Sequence, residues 1–159
     1  MTRKLSLRIG MALLLPLLAL LAAATPSRAQ NEDEILAAMQ RWSATYGTAT
    51  SAADMVALYH PDAVFWGTGG QEPMVGPAEF APYFQGQFDA YTARQVTFVD
   101  PVIRIIGPDV ATSTGLYRFN VTTAAGQPVE ALLRYSFAFV RGADGGWLII
   151  QHHSSQLPQ

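Results

Sequence analysis

From Arg94 to the C-terminus the chain has no helical periodicity, only four apolar-rich segments divided by short turns, and that pattern leaves few folds open. The segments are 96–106 (bent near Pro101), 110–122, 129–141 and a closing run from Trp147 to Ser155. Gly107-Pro108-Asp109, Ala124-Ala125-Gly126 and Ala143-Asp144-Gly145-Gly146 supply the turns. Strands this long, joined by so few residues, run antiparallel as a meander.

Turn lengths set which side chains meet. A three-residue loop at Ala124–Gly126 places residue 123 opposite 127, so Arg118 and Arg134 share a face with Leu116, Leu132 and Ser136. A two-residue turn at Asp144-Gly145 then sets Ser136 opposite His153 and Arg134 opposite Ser155. The other face collects Tyr117, Phe119, Tyr135, Phe137, Phe139, Leu148, Ile150 and His152, and reads as the main core. A slip of one residue exchanges the two sets. His152 and His153 are adjacent on a strand and point to opposite faces, so they cannot both ligate one metal. No metal or cofactor is expected.

Ahead of the strands the pattern is helical. Asn31 with Glu34 resembles a capping box, and Ile35, Leu36, Met39, Trp42 and Tyr46 follow at helical spacing up to Gly47. Ser51 caps a short second helix through Met55, Leu58 and Tyr59, stopped by Pro61. Ala63 to Trp66 reads as a short strand, followed by a loop with Gly67, Gly69 and Gly70, and Met74-Val75 as a brief partner. Gly76-Pro77 opens a third helix with Phe80, Phe84 and Phe88 on one face, and Pro82 inside it. The expected fold class is α+β: three helices packed on the concave side of a strongly bent antiparallel sheet, forming a cone with a pocket between the layers.

The first 29 residues read as a cleavable signal peptide, with Arg3, Lys4 and Arg8 before an apolar run from Met11 to Ala24 and small residues at Ser27 and Ala29. The run is shorter than the roughly 18 to 20 residues that span a bilayer. Cleavage before Gln30 would leave one domain, 30–159, secreted or periplasmic in a bacterium, with no membrane contact. That part holds no cysteine and no lysine, and all twelve acidic residues outweigh its arginines. Such a balance disfavours nucleic acid as a partner.

Four stretches together carry a family resemblance: Tyr59-His60-Pro61-Asp62-Ala63-Val64, Gly115-Leu116-Tyr117-Arg118-Phe119, Arg134-Tyr135-Ser136-Phe137, and Trp147 to Pro158 with its His-His-Ser-Ser-x-x-Pro tail. They resemble the bacterial relatives of the calcium/calmodulin-dependent protein kinase II association domain, within the nuclear transport factor 2-like, or SnoaL-like, superfamily. The resemblance implies a cystatin-like α+β cone, a pocket at its open end, and self-association through the sheet into a homodimer or larger assembly. It does not imply kinase activity, since no glycine-rich ATP loop is present.

The resemblance places a pocket arginine at Arg118, and Arg134 opens a pattern shared with the bacterial relatives. With His153 and Ser155 these two suit a small anionic or polar ligand, because guanidinium binds carboxylate bidentately. The alternative is that each arginine pairs with an acid such as Glu130 or Asp62. Tyr59 and Trp66 are candidates for the pocket mouth or for core packing. Asp62 and His153 are the catalytic candidates, Asp62 because superfamily isomerases and cyclases carry an acid near the end of the second helix. A serine hydrolase is disfavoured, with no Gly-x-Ser-x-Gly elbow and Ser154 pointing away from His153. Two classes remain: an exported oligomeric binding or assembly module, and a cofactor-free isomerase, cyclase or hydratase.

Overall fold

A computed structural model describes residues 28–158. Residues 1–27, which hold most of the expected signal segment, lie outside the described residues. The elements are α1 (Arg28–Thr48), α2 (Ala52–Val56), β1 (Tyr59–Trp66), β2 (Met74–Val75), α3 (Pro77–Ala90), β3 (Tyr91–Gly107), β4 (Val110–Thr123), β5 (Pro128–Arg141) and β6 (Trp147–Gln156). The strands form one six-stranded sheet in the order β2-β1-β6-β5-β4-β3. The fold is α+β, as expected. The sheet is mixed, because β1 runs parallel to β6 while every other neighbouring pair is antiparallel.

The helices cover one face. Trp42 of α1 packs its ring there against Tyr117 and Phe137 of the sheet and Tyr46 against Phe119, while Phe80 and Phe84 of α3 pack against Tyr59 and Phe65 of β1. The spacing of four in each helix is what brings these rings onto one side. Pro82 lies inside α3 without ending it.

Three local expectations change. The helix expected to start at Asn31 begins by Arg28, and Asn31 and Glu34 do not form a capping box. Instead Arg141 on β5 donates from Nη2 to Asn31 Oδ1 at 2.8 Å and to Glu34 Oε2 at 2.7 Å, and Trp147 Nε1 donates to Glu34 Oε2 at 2.9 Å. These contacts tie the first helix to the far end of the sheet. The second helix stops at Val56, and Leu58 and Tyr59 leave it for β1. The third segment of β strand starts at Tyr91, earlier than the periodicity indicates, and shifts register between Val99 and Val102. There Asp100 takes φ 46°. Gly115 on β4 admits this bulge, since a Cβ at that position would stand 3.3 Å from both the Val99 and Asp100 carbonyl oxygens.

The most consequential difference is in β6. The β4–β5 hairpin pairs as expected, with Leu116 opposite Arg134 and Arg118 opposite Leu132. The β5–β6 turn, however, holds three residues, Ala143 to Gly145, closed by Gly142 N–H donating to Gly146 O at 2.7 Å. That shifts Phe139 opposite Ile149 and Arg141 opposite Trp147. A bulge at Ile150 then restores the expected pairing, with Ala138 opposite Gln151, Ser136 opposite His153 and Arg134 opposite Ser155. Trp147 and Ile149 are therefore core residues at 4% and 2% exposure, while Leu148 and Ile150 lie on the outer face, reversing the sequence-based grouping for that half of the strand. Beyond the bulge, His152 and Ser154 face inward as expected.

Candidate functional site

Between helices and sheet lies a cavity of about 250 Å³. Its walls are mainly aromatic: Trp42 and Tyr46 from α1, Tyr83 and Phe84 from α3, Tyr117 and Phe119 from β4. Trp42 and Tyr46 stack at 5.6 Å between centroids with an interplanar angle of 6°. The closing strand contributes His152, Ser154 and Gln156, alternate residues that share the inward face. Among the described residues no aspartate, glutamate, lysine or arginine lines the cavity.

Two hydrogen-bonded groups supply its polarity. In the first, Trp42 Nε1–H donates to Tyr59 Oη at 2.9 Å, and Tyr59 Oη lies 2.8 Å from His152 Nδ1. Burial pushes the Tyr59 hydroxyl well above its ordinary pKa, so it keeps its proton. An indole nitrogen can only donate. The arrangement that also gives the tyrosine proton an acceptor directs it to His152 Nδ1, which puts the imidazole proton on Nε2. Burial, with the neighbouring His153 as a smaller contribution, drives the His152 pKa well below 6.5 and keeps the ring neutral. In the second group Tyr117 Oη donates to Ser154 Oγ, which also bonds Thr68 Oγ1. Burial raises the Tyr117 pKa as well. Among the described residues His152 Nε2 is the one buried side-chain polar atom without a hydrogen-bond partner. A buried donor left unsatisfied costs about 1 to 3 kcal/mol.

Thr68 reaches this cavity because of the loop after β1. Gly70 N–H donates to Gly67 O at 3.0 Å, and Trp66 Nε1–H donates to Gly70 O at 2.8 Å, closing a tight turn. Tyr83 packs directly on Gly67, where a Cβ would stand 2.6 Å from the ring edge. Only glycine lets the ring lie against the loop without displacement.

The residues singled out from sequence fall elsewhere. Arg134, His153 and Ser155 do come together, with Ser136, but on the outer face of the sheet, where they line a shallow groove of about 400 Å³. Trp66 joins them there, its ring 6.2 Å from that of His153. Arg118 is on the same face and pairs with Glu130, both partly exposed, so for this residue the ion-pair alternative is the one found. Among the described residues Arg134 has no hydrogen-bond or ion-pair partner. Tyr59 lies in the core at 4% exposure instead of at a mouth. Asp62 points away from the cavity, its side chain 88% exposed and 3.8 Å from His60 Nδ1. The parity of β1 explains this: Tyr59, Ala63 and Phe65 face inward, so Asp62, Val64 and Trp66 cannot.

The expected ligand residues His153 and Ser155 belong to the odd-numbered row of the closing strand, whereas the cavity is lined by the even-numbered row, His152, Ser154 and Gln156. Both rows are polar, so hydrophobic alternation does not separate them. The available signal was the pairing itself, which already placed His152 with the core aromatics.

A family model described as SnoaL-like domain matches residues 35–159. Among solved structures, a candidate calcium/calmodulin-dependent protein kinase II association domain from Xanthomonas campestris is 28% identical, with 86% of this chain and 94% of that chain covered at TM-score 0.74. A nuclear transport factor 2-like superfamily protein from Salmonella enterica serovar Typhimurium is 16% identical, covering 84% and 95% at TM-score 0.73. A candidate dehydratase of the nuclear transport factor 2-like family from Streptomyces avermitilis is 15% identical, covering 84% and 100% at TM-score 0.74. These last two share the fold. No curated protein matches the chain.

Proposed function

The chain belongs to the SnoaL-like domain family, and from that premise we propose that it is a binding protein whose ligand is a compact, uncharged aromatic molecule held in the cavity. One observation carries this reading: a cavity of about 250 Å³ walled by aromatic rings, with neutral hydroxyl, amide and imidazole groups and no charged side chain among the described residues. A charged ligand entering it would lose its hydration with no counter-charge to replace it, a penalty of several kcal/mol. Aromatic walls with a few polar groups suit a flat apolar body bearing one or two polar atoms. The anionic ligand expected from the arginines has support only at the outer groove, where Arg134 has no partner among the described residues.

Binding is favoured over the isomerase, cyclase or hydratase alternative because acid–base chemistry in this cavity would have to run without a carboxylate. Its titratable groups are tyrosines and His152. The basic, apolar and small-residue pattern of residues 1–29 supports export, which N-terminal sequencing of the mature protein at Gln30 would test. Self-association through the outer sheet face is part of the same proposal. Leu116, Leu132 and Ala138 are half-buried on that face, and Trp66 and Val75 are exposed at 39% and 56%.

Calorimetric titration with ethylbenzene and with benzoate tests the ligand class. Binding of ethylbenzene with no response to benzoate is expected. Saturable benzoate binding in the cavity, or binding of neither probe, would overturn the proposal.

A further inference from the structure

We propose that the groove on the outer face of the sheet is a second binding site, for a small phosphate monoester held by Arg134, His153 and Ser155, with Trp66 as the platform for a planar group beyond the phosphate. The site is separate from the cavity and takes a ligand of opposite character.

The partners of the arginines single out the place. Among the described residues, Arg28, Arg118 and Arg141 pair with Glu32, Glu130 and Glu34, while Arg41, Arg94 and Arg104 donate to backbone carbonyls. Arg134 alone among them has neither kind of partner, and it is exposed. No carboxylate of the described residues lines its groove, and Glu130, on the same face of β5, is held by Arg118.

Strand register fixes what surrounds the guanidinium. Ser155 stands directly across from Arg134, and His153, two residues back on β6, points to the same face opposite Ser136. Opposed and diagonal side chains on neighbouring strands lie about 5 and 7 to 8 Å apart, within reach of an arginine. Thr114 gives its proton to the Tyr135 carbonyl at 3.0 Å, so Ser136 donates to Thr114 in their 3.2 Å contact, and neither has a proton to spare. The Ser155 hydroxyl and the His153 ring nitrogens have no hydrogen-bond partner among the described residues. The groove therefore presents a guanidinium fork, an imidazole N–H and a hydroxyl. All three belong to half-buried or exposed residues that a ligand can reach.

Chemistry selects the ligand. One carboxylate on an exposed arginine gains little, because water screens the pair. A phosphate monoester carries about −1.5 to −2 charges at neutral pH and three strong acceptor oxygens. A guanidinium binds two of those oxygens side by side, which leaves the third for the imidazole or the Ser155 hydroxyl. His153 also joins the groove to Trp66, its neighbour on β1. The Trp66 indole is 39% exposed with its ring 6.2 Å from the imidazole, a flat surface on which an aryl group can lie. A second copy seated on this face would cover the groove, so the ligand and the proposed sheet-to-sheet contact exclude one another.

Calorimetric titration of the full chain with phenyl phosphate, inorganic phosphate and benzoate tests the site. Phenyl phosphate should bind saturably, at least about fivefold more tightly than inorganic phosphate, and benzoate should give no response. It should also shift light scattering toward the monomer. Arg134→Met should weaken phenyl phosphate at least about tenfold, and Arg134→Lys should weaken it less, since an ammonium keeps the charge but not the paired bonds. Both variants should take up ethylbenzene in the cavity as the parent does. Absence of phenyl phosphate binding, or binding that survives Arg134→Met, would overturn the inference and leave the cavity reading intact. Equal affinity for phenyl phosphate and inorganic phosphate would overturn the monoester assignment, because the Trp66 platform would then contribute nothing.

Discussion

The Tyr59 hydroxyl stands 2.8 Å from His152 Nδ1, across 93 positions of sequence, and joins the first strand of the sheet to the last. The two residues lie on neighbouring parallel strands, β1 and β6, with Trp42 of α1 closing the group from the helical side. Replacing Tyr59 by Phe removes one oxygen and orphans two buried groups, the Trp42 indole N–H and His152 Nδ1. Each orphaned group costs about 1 to 3 kcal/mol. Urea unfolding of Tyr59→Phe should show a loss in that range or somewhat above it, and the His152 proton should no longer reside solely on Nε2. A variant as stable as the parent would mean that the bond contributes nothing net.

Two arginines on β5 should behave differently. Arg141 Nη2 bonds both Asn31 and Glu34, its Nε and Nη1 reach the carbonyls of Pro108 and Gly145, and its guanidinium lies 4.3 Å over the Trp147 ring. Arg141→Met should cost about 3 kcal/mol, since several charge-assisted bonds to a partly buried carboxylate and carbonyls go at once. Arg134 has no such partners, and Arg134→Met should change stability by about 0.5 kcal/mol or less. Chemical denaturation of the pair measures the contrast directly.

Stability should fall as pH falls below neutrality, in two stages. The unfolded chain takes up a proton at His152 near the ordinary value of 6.5, whereas the buried native ring stays neutral well below it. The unfolded state then binds more protons, so stability decreases with falling pH, at up to about 1.4 kcal/mol per unit from this group. Further down, the hydrogen bond from Arg141, aided by that from Trp147, holds the Glu34 carboxyl below its ordinary 4.5. Its stabilisation is complete above 4.5 and is lost as pH drops through the native value. Because Glu34 is about one-third exposed, solvent screening keeps that second contribution small. Urea midpoints from pH 7 to 3 test both stages: His152→Phe should flatten the first and Glu34→Gln the second.

Self-association should be visible by light scattering at micromolar concentration as a dimer or larger species. Leu116→Glu places a charge in the middle of the proposed outer contact and should shift the population to monomer without unfolding the chain. A parent protein that scatters only as a monomer would exclude the sheet-to-sheet assembly.

Much of the fold was legible along the chain. Phe80, Phe84 and Phe88 at intervals of four identify the buried face of α3, and the loop at Ala124–Gly126 sets the β4–β5 register correctly at every pair from Val110 to Thr122. Period-two and period-3.6 patterns are local properties, imposed by backbone geometry on the nearest few residues, so sequence alone determined them. The β5–β6 pairing was decided differently. The turn is one residue longer than Asp144-Gly145 indicates, and Ile150 is extruded to compensate, so Trp147 and Ile149 take core places that Leu148 and Ile150 were expected to fill. Four apolar residues in a row carry no alternation from which a bulge can be read. The site shows the same division. His152 and His153 differ by one position and share a chemistry. The hairpin pairing already puts His152 with the core aromatics and His153 beside Arg134 and Ser136, but only the packing of β6 against β1 and α1 brings His152 to Tyr59 and Trp42 and His153 to Trp66. Local geometry and strand register sort the two histidines to opposite faces, and the tertiary structure alone decides which of those faces, the one covered by the helices, holds the cavity.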